Sequence, residues 1–107
     1  KEPPKERFAH VERISAGRAV KKYKTDILML CWPMYDHPMA ETALKGFTGN
    51  AVIYIGESDG GCTGDEKFYR RLAKEWTEVA RIEIPQWPMI HDKMWFYERK
   101  MSDEHAV

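Results

Sequence analysis

Apolar residues along this chain fall into short blocks with two different spacings. Ile27–Cys31 is a continuous apolar run, bounded by Asp26 and by Trp32-Pro33. A run without polar interruption predicts a strand covered on both faces, as in a parallel sheet. Met39, Ala40, Ala43, Leu44 and Phe47 then recur at helical spacing, with Pro38 suited to the first turn and Gly46 and Gly49 near the end. Residues 51–55 form a second apolar run. Thr63-Gly-Asp-Glu66 has the form of a capping box, and the helix it opens sets Phe68, Leu72, Ala73 and Trp76 on one face. Residues 79–84 and 94–99 alternate in polarity, which predicts strands with one face less covered.

The order is therefore strand, helix, strand, helix, then two strands. Roughly ten residues separate that last pair, too few for a parallel crossover of a dozen or more, so the two strands are expected to be antiparallel. The fold class expected is α/β: a three-layer, half-Rossmann-like open sheet with parallel strands and helices, ending in an antiparallel hairpin. Residues 1–7 read as a charged, proline-bearing arm, residues 8–100 as one domain and residues 101–107 as a polar tail. Residues 8–11 suit a short strand. Residues 11–20 allow a short helix, which Gly17 weakens by about 1 kcal/mol relative to alanine.

Composition narrows the partners. Seventeen lysines and arginines balance seventeen aspartates and glutamates. No bulk charge draws the chain to nucleic acid or to a membrane surface. No apolar run approaches the roughly 20 residues that span a bilayer. Cys31 and Cys62 are expected to be free thiols of an intracellular, cytoplasmic domain, with Cys31 a small core residue. Two cysteines without a nearby histidine make a weak metal signal, and no metal is expected. The first residue is Lys1, which suits a processed or fragmentary chain.

Two segments carry the candidate chemistry, each at the end of an apolar strand. One is Cys31-Trp-Pro-Met-Tyr-Asp36; the other is Gly56-Glu-Ser-Asp-Gly-Gly-Cys-Thr-Gly-Asp65. Ligands of open α/β sheets bind outside the carboxyl ends of the strands. Trp32, Pro33 and Tyr35 suit a platform for a planar substrate, or the packed edge of a thin core. His91, in the loop before the last strand, suits a proton shuttle or a hydrogen-bonded loop histidine. Glu57 suits a base whose pKa burial raises, or a carboxylate that accepts backbone N–H bonds from the Gly-rich turn. Asp36 is a candidate catalytic carboxylate beside it, or a turn residue. Trp87, between prolines, is the tryptophan expected to be exposed, while Trp76 and Trp95 read as core.

These strings resemble the closing half of the class I S-adenosylmethionine-dependent methyltransferases. Cys31-Trp-Pro-Met-Tyr35 is similar to the proline-aromatic turn after the fourth strand of those enzymes, and a parallel sheet ending in an antiparallel pair is how their fold closes. The resemblance runs from about Asp26 to Arg99. It implies substrate positioning by Trp32, Pro33, Tyr35 and His91, with Glu57 and Asp36 as catalytic carboxylates. The departures are as informative. No Gly-rich turn precedes Asp26, and Gly60-Gly61 follows the wrong strand and lacks the dinucleotide-loop spacing. Trp32 and Met34 stand where amino-methylating members have Asn/Asp and Pro.

The expectation that follows is a methyltransferase-like half-domain that binds no cofactor by itself and serves as a non-catalytic interaction or assembly module. The alternative is the substrate-side part of an N- or O-methyltransferase that another chain or segment completes, with S-adenosylmethionine as its cofactor. Either way, the apolar first strand leaves an edge that invites pairing. A homo-oligomer or a protein partner is expected to cover it.

Overall fold

A computed structural model describes residues 10–101 of the chain. The expected arm at residues 1–7 lies outside the described residues, as does all but the first residue of the expected tail. Three helices and four strands follow in the order α1 (Ala16–Lys22), β1 (Ile27–Cys31), α2 (Met39–Gly46), β2 (Ala51–Gly56), α3 (Glu66–Glu75), β3 (Trp76–Glu83) and β4 (Lys93–Arg99). The helix at α1 forms despite Gly17, and of the suggested short strand the described part, His10 and Val11, is not a strand.

The strands make one mixed, open sheet in the order β1-β2-β4-β3. β1 runs parallel to β2, with Ile27 opposite Ala51 and Cys31 opposite Ile55. β4 is inserted antiparallel between β2 and β3, with Ile53 opposite Phe96 and Ile82 opposite Met94. The last two strands are thus an antiparallel pair, as their short connection requires. A register shift between Glu78 and Ala80 marks a bulge in β3.

One core holds the domain. Alternate sheet residues Leu30, Val52, Tyr54 and Trp95 pack against Ala40, Ala43 and Leu44 of α2 and Phe68 and Leu72 of α3. Tyr54 and Trp95 stack across β2 and β4, their rings 5.4 Å apart, and Phe68 meets Tyr54 edge-on at 5.1 Å. Trp76 is 2% exposed but opens β3 rather than closing α3. It lies under the Arg99 guanidinium, 4.5 Å from its ring centre. Arg99 also donates to the carbonyls of Phe47 and Gly49, which fastens the end of β4 to the turn before β2.

The three-layer expectation is corrected to two layers among the described residues. Ile27 (53% exposed) and Met29 (56%) on β1, with Ile82 (49%) on β3, lie on the face opposite the core. Cys31 shares that face and is exposed, not a core residue. The residues between them, Ile53, Ile55, Met94 and Phe96, are half-buried. A continuous apolar run is what a doubly covered strand needs, but it does not itself supply the second cover. The capping box is corrected too: Asp65 caps α3 by accepting the Phe68 N–H at 2.9 Å, and Thr63 turns inward instead.

Candidate functional site

Three loops meet at the carboxyl ends of β1 and β2: residues 32–38, 57–65 and 84–92. The first begins where Trp32 donates its backbone N–H to Ile55 at 2.7 Å and turns out of the sheet with φ of 49°. That is the left-handed region, costly for a side-chain-bearing residue. Pro33 beneath it is buried. The first two loops then exchange backbone bonds: Gly64 N–H to Pro33 C=O at 3.1 Å, and Asp36 N–H to Gly64 C=O at 2.8 Å. Gly64 has φ of 66°, and a Cβ there would lie 2.9 Å from the Phe68 ring, so glycine is required.

Two buried carboxylates fasten the third loop. Glu57 is 6% exposed, and its Oε1 accepts the Cys62 N–H at 2.5 Å. Its Oε2 accepts the His91 N–H at 3.0 Å. These amides hold the carboxyl below its usual range, His91 contributing most, against a smaller opposing push from burial. Of the two readings open in the sequence, this geometry is that of the acceptor of loop N–H groups. A hydrogen bond to Glu57, together with its negative charge, in turn raises the Cys62 thiol, which disfavours a reactive thiolate there. Asp92 is 7% exposed, and its Oδ2 accepts the Trp32 indole N–H at 3.0 Å. The Gln86 amide donates to the Asp92 carbonyl at 2.5 Å, closing the loop on itself.

Under the loops lies a hydroxyl cluster. Tyr54 Oη is 2.5 Å from Thr63 Oγ1 and 2.8 Å from Tyr69 Oη, and donates to the Glu57 carbonyl at 2.7 Å. Thr63 Oγ1 in turn accepts the Glu57 N–H at 2.9 Å. Burial pushes the Tyr54 phenol well above its ordinary pKa, so it stays a neutral donor. Gly56 is buried against this cluster: a Cβ there would come 2.6 Å from Tyr54 Oη and 2.8 Å from Thr63 Oγ1.

The outer surface of the loops is aromatic and thioether-rich. Trp32 is 40% exposed and Tyr35 66%, while Trp87 and Met89 stand almost free. Asp36 is exposed with φ of 51°, so it occupies a turn. His37 Nδ1 accepts the Met39 N–H at 3.1 Å at the start of α2. His91 is exposed, and it is its backbone that holds Glu57. The structure therefore brings Trp32, Pro33, Glu57 and His91 into one loop cluster, with Tyr35 and Asp36 on its outer turn. Among the described residues, no three His, Cys, Asp or Glu side chains converge as a metal site.

Sequence reasoning missed Asp92 as the residue that sets the Trp32 ring, and the Tyr54-Thr63-Tyr69 cluster. The available signal was a buried-strand tyrosine followed nine residues later by a threonine in a Gly-rich turn. No family model matches this chain, and comparison with curated proteins and with solved structures finds no match to it.

Proposed function

We infer that this chain is a methyltransferase-like half-domain that acts as a non-catalytic assembly module. The observation that carries this reading is the open face of its sheet. Ile27, Met29, Cys31, Ile53, Ile55, Met94, Phe96 and Ile82 lie on it, and register places Glu98 as its charged neighbour at one end. Four strands at about 4.8 Å spacing and five residues at about 3.3 Å rise give a footprint of about 300 Å². An apolar patch of about 300 Å² is within the range that monomers expose as their largest patch, which is often functional. A stable interface buries about 800 Å² per partner, so the exposed loop residues Trp32, Met34, Trp87 and Met89 are needed to extend the contact.

The parallel pair followed by an antiparallel pair, and the proline-aromatic turn after β1, support the methyltransferase-like part of the reading. The site chemistry supports its non-catalytic part. Both oxygens of Glu57 are engaged by loop amides, and the carboxylate is held in its weakly basic form. The exposed rings of Trp32 and Tyr35 favour a second reading. In it, the chain is the substrate-side part of an S-adenosylmethionine-dependent enzyme completed by another chain.

Native mass spectrometry with and without S-adenosylmethionine separates the two. The assembly reading expects a specific complex that takes up no cofactor and that Ile82→Lys disperses, since a lysine would charge the open face far from β1. A complex that takes up S-adenosylmethionine stoichiometrically overturns it in favour of the second. A strictly monomeric chain at high concentration, unchanged by Ile82→Lys, removes self-assembly through this face.

A further inference from the structure

The outer edge of β1 differs in kind from the open face. Ala51 N–H bonds to Asp26 C=O, and Trp32 N–H to Ile55 C=O. In the parallel register this alternation turns the backbone of Asp26, Leu28, Leu30 and Trp32 toward β2. The N–H and C=O groups of Ile27, Met29 and Cys31 then point away from the sheet. The Thr25 hydroxyl donates to the Ile27 carbonyl at 3.0 Å, as that orientation requires. No other strand among the described residues pairs there.

An apolar groove of about 310 Å³ runs beside this edge. Ala16, Ala19 and Val20 of α1 form one wall, β1 through Leu30 forms the other, and Met39 and Ala43 of α2 lie at its base. The short side chains of Ala16 and Ala19 do not fill the space between α1 and β1, which leaves the groove open. A strand added to β1 would set alternate side chains into this groove and the others beside Ile27 and Met29 on the open face. That is the geometry of strand addition: main-chain bonds supply affinity and pockets for alternate side chains supply selectivity.

Charge selects the occupant. Residues 12–26, which include α1, carry Arg13, Arg18, Lys21, Lys22 and Lys24 against Glu12 and Asp26, five positive charges to two negative. Four of these five cations have no ion-pair partner among the described residues; Lys22 pairs with Glu12 at 2.5 Å. A second copy that paired β1 with β1 would bring two such segments together, at a cost in like-charge repulsion. An acidic segment would instead be attracted.

We propose that the β1 edge and the α1–α2 groove bind an extended segment of another protein, apolar and β-branched at its centre and acidic at its flanks. This deepens the assembly reading and rests on it, by naming the chemistry of a partner. The centre fills the groove and extends the apolar face, and the flanking carboxylates meet the cations around α1.

The test uses the intact chain and labelled synthetic peptides, read by fluorescence anisotropy. A valine- and isoleucine-centred peptide with aspartates at both ends should bind at least about tenfold tighter than its lysine-flanked counterpart at low salt. The advantage should shrink as salt shortens the screening length to about 8 Å and below. N-methylation of the alternate residues whose N–H groups face β1 should abolish binding, while methylation of the intervening residues should leave it intact. Met29→Pro removes an edge N–H without touching the β2 ladder, a position where proline is tolerated, and should also abolish binding. Lys21→Glu should weaken the acidic peptide and strengthen the basic one. Equal effects of the two N-methyl sets, or a preference for the lysine-flanked peptide, would overturn the proposal. So would a dimer through β1 that Met29→Pro dissociates, because the occupant would then be a second copy. Ile82→Lys should leave peptide binding unchanged. If it disperses the native complex while no peptide binds, the edge proposal fails and the assembly reading stands.

Discussion

Glu57→Gln tests the loop cluster with the smallest change in shape. The wild-type carboxylate presents an acceptor to each of two amides, Cys62 at 2.5 Å and His91 at 3.0 Å. Glutamine keeps one acceptor and sets an NH₂ donor against the other amide. The change removes one charge-assisted bond, neutralises the second and leaves a donor facing a donor in a buried site. Hydrogen bonds to charged groups contribute roughly 1.5–3 kcal/mol each, so the expected loss is about 2–3 kcal/mol. For a domain of this size that lowers Tm by roughly 10–20 °C. The pH dependence follows from the depressed folded-state pKa. The carboxylate's contribution is complete above the ordinary glutamate value of about 4.3 and is lost as pH falls through the lower folded value. The gap between wild type and Glu57→Gln should therefore be full at neutral pH and should close below about pH 4. Urea denaturation across pH measures the gap, and amide exchange at Cys62 and His91 locates it. Unchanged protection of both amides in the variant, or a gap independent of pH, would refute the clamp.

Other perturbations probe the rest of the frame. Tyr54→Phe removes one bond each from Thr63, Tyr69 and the Glu57 carbonyl, which remain bonded to one another; it should cost about 0.5–1.5 kcal/mol, and no loss in urea melts would discount the cluster. Gly56→Ala forces a methyl to within 2.6 Å of Tyr54 Oη, and should destabilise by about 1–3 kcal/mol through overpacking. A Tm equal to that of wild type would count against the tight contact. Arg99→Met removes the donors to Phe47 and Gly49 and the cation over Trp76; it should cost about 1.5–3 kcal/mol and alter Trp76 fluorescence. A stable variant with an unchanged emission spectrum would contradict that account.

How far the sequence carries depends on the distance over which each feature is decided. β1 was legible because five adjacent apolar residues between Asp26 and Trp32-Pro33 suit a strand locally. What covers its second face was not, since that depends on elements elsewhere. The antiparallel end of the sheet was legible from the length of one connection. The junction of α3 and β3 was not. No glycine or proline separates Glu75 from Trp76, and Trp76 satisfies helix spacing as well as it satisfies the start of a strand. Thr63 and Asp65 both suit the start of α3 by local pattern; burial of Thr63 against Tyr54 decided between them. Glu57 is the clearest case. Its strand-end position was readable, but its partner His91 lies 34 residues away, and the Trp32–Asp92 bond spans 60.

The two edges of this sheet show why the β1 edge is the one to examine for a partner. β3 is guarded in the usual ways: a bulge after Glu78, charged Glu78, Arg81 and Glu83 along its length, and a Lys93–Glu83 ion pair at its end. β1 has none of these. It carries no charge, no proline and no bulge, and its neighbour α1 stands off behind a groove instead of closing over it. An unguarded apolar edge promotes indiscriminate pairing, and here the cations of residues 13–24 discourage one wrong partner, another copy of the same chain. Repulsion of self and attraction of an acidic strand come from the same four unpaired cations, Arg13, Arg18, Lys21 and Lys24. Specificity is a difference between affinities, and one set of charges acts on both sides of that difference. The open face lacks such selection, because its side chains are almost all uncharged. On the proposed reading the edge decides which protein binds, and the face would contribute the larger buried area once that partner is in place.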